Sequence, residues 1–89
     1  MNIIDNYIIY AFIFQIAIIF IFSLIYYFIG KKNFVGVKNY FDCLYFSTIT
    51  TASVGYGDIV PKTYLAKFFV LIQSFLVLIN LGYVISLVI

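Results

Sequence analysis

Few side chains in this sequence could do chemistry. There is no histidine, the single cysteine is Cys43, and the three acidic residues, Asp5, Asp42 and Asp58, are widely spaced along the chain. Most metal sites and imidazole-based acid–base catalysis are therefore excluded, and one cysteine cannot close an intrachain disulfide. No nucleophile is clustered with a base, so no catalytic residue and no cofactor is expected. What remains is the stretch Ser53-Val54-Gly55-Tyr56-Gly57-Asp58, in which glycines alternate with larger residues behind a hydroxyl and ahead of a carboxylate. Glycine takes up left-handed backbone without the penalty of a Cβ, so Gly55 and Gly57 free the main chain to aim its own polar groups. An ordinary tight turn is the other use of such glycines.

The elements that must position this stretch belong in lipid. Of 89 residues, 66% are hydrophobic, 22% aromatic and only 9% charged, whereas a small soluble domain needs a largely polar surface. The net charge of +2 is too small and too scattered for nucleic acid or an acidic substrate, and no soluble partner is expected. From Tyr7 to Ile29 the chain carries no charge and only Gln15 and Ser23 interrupt its apolar run; about 20 residues suffice to cross the hydrocarbon core as a helix. A signal peptide would have a shorter apolar core, a basic start and a small-residue cleavage site, where this segment follows Asp5 and ends in Tyr26, Tyr27 and Phe28. Tyr64 to Ile89 is a second such run, with Lys67 near enough to its start to extend to the interface. Both runs are rich in β-branched residues, but inside a bilayer only a helix or a closed barrel satisfies the backbone, and period-two alternation is missing.

Between the runs, residues 30–39 read as a polar loop. Asn39 is a good N-cap with Asp42 as a partial capping-box partner, so a helix of about three turns is expected over 40–52. The glycine stretch follows it, and Pro61 comes shortly after. A short helix and an irregular strand placed between two spans read as a re-entrant hairpin, tolerated at membrane depth only where protein or water surrounds it.

Ser-Val-Gly-Tyr-Gly-Asp at 53–58 closely resembles the potassium-channel filter Thr-Val-Gly-Tyr-Gly-Asp. Asp42-Cys43-Leu44-Tyr45-Phe46-Ser47 and Pro61-Lys62 are similar to the pore helix and outer mouth of the same family, and the likeness covers most of the chain. With two spans and a minimal loop between them, the sequence looks most like the miniature pore-only potassium channels of large algal viruses. The resemblance implies an all-α membrane protein assembled as a homotetramer. Its parts would be a short N-terminus (1–6), an outer helix (7–29), a turret (30–39), a pore helix (40–52), a filter (53–58), an outer loop (59–63) and an inner helix (64–89).

The implied chemistry is passive conduction of potassium. Carbonyls of Ser53, Val54, Gly55 and Tyr56, with the Ser53 hydroxyl, would replace the ion's hydration water in stacked rings that end at Gly57. One chain supplies one loop, so the ring needs several copies, and potassium is the permeant ion rather than a cofactor. Asp58 would stand at the outer mouth, either hydrated or bonded to Tyr45, because Ile49 occupies the place where some relatives carry a partner glutamate. Thr50 and Thr51 sit near the cavity end of the pore helix, where their hydroxyls either reach the ion or bond the preceding turn. Ser53 keeps the hydroxyl of the family's threonine without its stiffening methyl.

The second span is expected to line the inner pathway. Gln73, Val77, Asn80 and Val84 share one helical face; Gln73 is expected to join helices, Asn80 to face the pathway, and Gly82 to permit close packing. Val77 stands where many relatives have a hinge glycine. There is no arginine for a voltage sensor and no domain for a ligand. All five lysines fall between the spans or at the start of the second, which by the positive-inside rule would put the hairpin in the cytoplasm. The resemblance implies the reverse, termini cytoplasmic and turret external, in a viral envelope, an internal membrane or a host membrane. A two-span structural protein and an unselective permeabilising peptide are the alternatives, and neither uses the filter residues.

Overall fold

The computed structural model describes residues 3–89. Helix α1 spans Ile3–Ile29, α2 Tyr40–Thr51 and α3 Tyr64–Val88; a 3-10 turn at Lys31–Asn33 and strands β1, Phe34–Val35, and β2, Val60–Pro61, complete the described elements. Both α1 and α3 are long and apolar enough to cross a membrane, with α2 and the irregular segment held between them. The chain is thus a two-span membrane protein. Helix α1 takes in Asp5, so it starts before the charge-free run does; a carboxylate in the first turn is favoured by the helix dipole. At about 1.5 Å per residue its 27 residues exceed a hydrocarbon core of about 30 Å.

Each helix end has a local cause. The Asn33 amide donates to the carbonyls of Ile29 at 2.7 Å and Gly30 at 3.3 Å, closing the C-terminus of α1. Its own Oδ1 accepts the Thr63 hydroxyl at 2.6 Å, while Thr63 caps α3 by accepting from the Ala66 amide at 3.2 Å. One buried asparagine thereby fastens the end of the first span to the start of the second. Asn39 caps α2 as expected, receiving the Asp42 amide at 3.1 Å, but the Asp42 carboxylate reaches Lys38 N–H at 2.8 Å, one residue beyond the usual capping-box donor.

No local sequence pattern predicts the strand pair. Phe34 lies opposite Pro61 and Val35 opposite Val60, antiparallel, so the two ends of the hairpin meet. Strands of two residues carry no alternation to read. Pro61 is tolerated there because a strand at a sheet edge need not donate every N–H.

The core gathers Ile18, Phe22 and Tyr26 of α1, Phe34, Cys43 and Phe46, Ile59, and Ala66 and Val77 of α3. Tyr26 is its centre, with ring centroids 5.4 Å from both Phe34 and Phe46 and 6.0 Å from Phe22. Fully buried beside it are polar residues, Ser23, Ser47 and Gln73. Lipid offers helices no hydrophobic reason to associate, so ring packing and interhelical hydrogen bonds hold the bundle together.

The face of α3 shared by Gln73, Val77, Asn80 and Val84 is not open. Gln73 and Val77 are buried, the Asn80 amide donates to Ala11 O at 3.1 Å and Gln15 Oε1 at 2.8 Å, and Val84 lies in the groove against Ile8 and Ala11. Asn80 therefore joins α3 to α1. An amide in an apolar helix pair is stabilised by meeting another polar group, and Gln15 sits opposite to provide one.

Candidate functional site

The loop at 53–58 is built outward from the C-terminus of α2. Ala52 caps the helix, and Ser53 turns off it with φ of 62°, the one non-glycine among the described residues in the left-handed region. Ser53 N–H donates to Thr50 O at 3.2 Å and Val54 N–H to Ile49 O at 2.9 Å, with Gly55 N–H also directed at Ile49 O at 3.4 Å. Those bonds form a Schellman cap, in which the residue after the C-cap is left-handed and usually glycine. The expected first ring residue of the loop is therefore also the terminator of the helix behind it.

Beyond Ser53 the left-handed backbone recurs at every second residue, Gly55 with φ of 55° and Gly57 with φ of 87°, while Val54 and Tyr56 keep negative φ. In an ordinary strand successive carbonyls point to opposite sides; changing the sign of φ at alternate residues allows them to share a side. Residues 52–58 are all exposed in the single chain. A Cβ at Gly55 or Gly57 would meet nothing within 4 Å, so the demand for glycine there is conformational rather than steric.

Asp58 closes the segment. Its Oδ2 accepts the Tyr45 hydroxyl at 2.9 Å, and this hydrogen bond, followed by burial and the nearby carboxylate and Tyr56, holds the Tyr45 phenol above its ordinary range. Ile49, at the position that holds no glutamate in this chain, is buried. Ile59 then anchors the chain in the core. In the sequence Gly36 is one more residue of the polar loop at 30–39. It has φ of 95°, and a Cβ on it would stand 2.5 Å from the Asp58 carbonyl oxygen, so the turret backbone lies directly against the end of the loop. Only a long-range contact carries that role, and no local pattern announces it.

Three other expected positions are placed as follows. Thr51 is buried and its hydroxyl accepts from Gln73 Nε2 at 2.8 Å, within the helix bundle of the one chain. Thr50 is half-buried, and its carbonyl receives the Ser53 amide. Gly82 is exposed and a Cβ there meets nothing within 4 Å of this chain, so it makes no close helix contact within one copy. Gln73 does join helices: its amide reaches Ser47 and Thr51 of α2 and accepts from Tyr26 of α1. Tyr26 and Ser47 were missed as its partners because in sequence they are one more aromatic and one more hydroxyl in apolar runs.

Two spans, an intervening helix and a loop of alternating backbone handedness agree with what comparison with known proteins finds: residues 14–89 match the family described as "Ion channel". The chain belongs to that ion-channel family. This ion-channel chain is accordingly a transport protein and not an enzyme. It is also 57% identical over 28 residues to the probable potassium channel protein 2 of Methanocaldococcus jannaschii, a stretch that makes up 32% of this chain and 8% of that protein. The ion-channel chain thus spans a small fraction of that relative's length. No solved structure matches it.

Proposed function

We propose that four copies of this chain surround a potassium-selective pore, with the carbonyls of Ser53, Val54, Gly55 and Tyr56 and the Ser53 hydroxyl as the ion's ligands. The observation that carries this reading is the alternation of left-handed backbone at residues 53, 55 and 57 within the order Ser-Val-Gly-Tyr-Gly-Asp. A ring of carbonyls from several loops can stand in for the hydration shell of potassium, and a single exposed loop cannot close that ring alone. Symmetric assembly with the four loops of such filters completes it.

The surrounding residues fit the same task. The C-terminal end of α2 carries the partial negative end of the helix dipole beside the first ring, where it favours a dehydrating cation. Asp58, exposed and acidic at the far end, concentrates cations at the mouth. With the Gln73–Val84 face turned onto α1, the inner pathway falls to the opposite, exposed face of α3 that carries Phe75, Ile79, Gly82 and Ser86. In this reading potassium passes down its gradient. The small two-span plan remains most similar to the miniature viral channels, and the hairpin is external.

The test is a bilayer recording of the purified protein under opposed potassium and sodium gradients. A reversal potential set by potassium supports the reading. A weakly selective current would indicate a general permeabilising protein, and silence in an assembled, correctly inserted protein would indicate a structural one.

A further inference from the structure

We propose that the buried amide of Gln73, with Tyr26, Ser47 and Thr51, is a positioning hub that sets the geometry of the innermost filter ring. This rests on the potassium-channel reading of the loop. Gln73 and Tyr26 are both fully buried and lie on different spans. The Tyr26 hydroxyl donates to Gln73 Oε1; Gln73 Nε2 is directed to Ser47 O at 3.1 Å, Ser47 Oγ at 3.0 Å and Thr51 Oγ1 at 2.8 Å. The Ser47 hydroxyl in turn donates to Ile19 O on α1 at 2.7 Å. One amide, with a carbonyl acceptor and two N–H donors, is engaged on both sides, and it ties both spans to the last turn of α2.

That turn is where the filter hangs. Thr48, Ile49 and Thr50 lend their carbonyls to the amides of Ala52, Val54 and Ser53, and Thr51 is the last residue of α2. The path from α1 through Gln73 to the first ring thus runs through hydrogen bonds and one rigid turn, with no flexible linker in it. A helix pair held by apolar contact alone can slide, because lipid-facing and helix-facing surfaces are chemically alike. A directional amide fixes rotation and height together. Since ion choice depends on the spacing and field of the ring oxygens, a small displacement of this turn alters selectivity before it alters assembly. A merely structural hub would change tetramer heat stability and leave the permeability ratio untouched.

The experiment compares full-length wild type, Tyr26→Phe, Gln73→Leu and the double variant, each reconstituted in bilayers, by reversal potential in opposed potassium and sodium and by tetramer heat stability in detergent. We expect the potassium-to-sodium permeability ratio to fall by about threefold in Tyr26→Phe and about tenfold in Gln73→Leu, the scale of one or two lost hydrogen bonds. The double variant falls no further than Gln73→Leu, since the two groups act as one unit. Should Gln73→Leu fail to assemble, Tyr26→Phe, which loses a single oxygen, decides by the same criterion. A selective wild type whose assembled variants keep its permeability ratio overturns this assignment alone. A wild type with no preference for potassium overturns the channel reading and the assignment with it.

Discussion

At the scale of single residues, backbone conformation explains the loop better than side-chain identity does. Gly55→Ala forces a Cβ into left-handed backbone, which disfavours L-residues by about 1–2 kcal/mol per position and in the proposed fourfold ring would act four times. Selective current should disappear while the protein still inserts, as read by bilayer recording beside a tetramer gel. Ser53 gives the converse case. Because it is left-handed, Ser53→Gly should leave tetramer heat stability in sodium, where no ring potassium contributes, at or above wild type, whereas the β-branched Ser53→Thr should lower it, even though threonine is the family's commoner residue. Tyr45 adds a pH dependence. Its phenol is raised when folded, chiefly by the hydrogen bond to Asp58, so the contact is fully stabilising below the unfolded value of about 10 and is lost as pH climbs through the raised one. The heat-stability advantage of wild type over Tyr45→Phe should be flat through neutral pH and vanish only in strong alkali; a loss between pH 5 and 8 would contradict it.

Among the elements, the junction of α1, the strand pair and α3 depends on Asn33. Asn33→Ala removes its bonds to Ile29 and Gly30 and strands the Thr63 hydroxyl, and should destabilise the tetramer by about 1–3 kcal/mol. Thr63→Ala should show less, about 0.5–2 kcal/mol for a lost cap, and the two should be non-additive because they share a bond. Gly36→Ala, with its Cβ placed 2.5 Å from the Asp58 carbonyl, should cost on the order of 2–4 kcal/mol and disturb conduction at the mouth. The spans, the Asn39 cap and the Ser53–Asp58 loop could all be read from the sequence, since each depends on run length or on neighbours a few residues away. The orientation of α3 could not. Periodicity shows that Gln73, Val77, Asn80 and Val84 share a face, but in a helix apolar on every side it does not show what that face meets. The strand pair and the role of Gly36 were hidden for a related reason: both are contacts between residues distant in sequence.

For the whole molecule, one copy leaves most of α1, most of α3 and all of residues 52–58 exposed, surface that lipid and the proposed assembly would cover. If potassium occupies a ring that only the tetramer forms, replacing potassium by sodium should lower the tetramer's melting temperature; at a hundred times Kd the linkage amounts to about 2.7 kcal/mol. A glycosylation sequon inserted beside Lys31 should be modified if the hairpin faces outward, against the direction that the lysine distribution suggests. Cys43 matters to such work in another way. It is the single thiol of the chain, packed in the core at 1% exposure, and burial, aided by Asp42, pushes it above its ordinary range. Thiolate-directed reagents need an exposed, ionised sulfur. This chain is therefore already a blank background for chemical mapping, and a lone cysteine introduced at Ile79, Gly82 or Ser86 can be labelled without first removing Cys43.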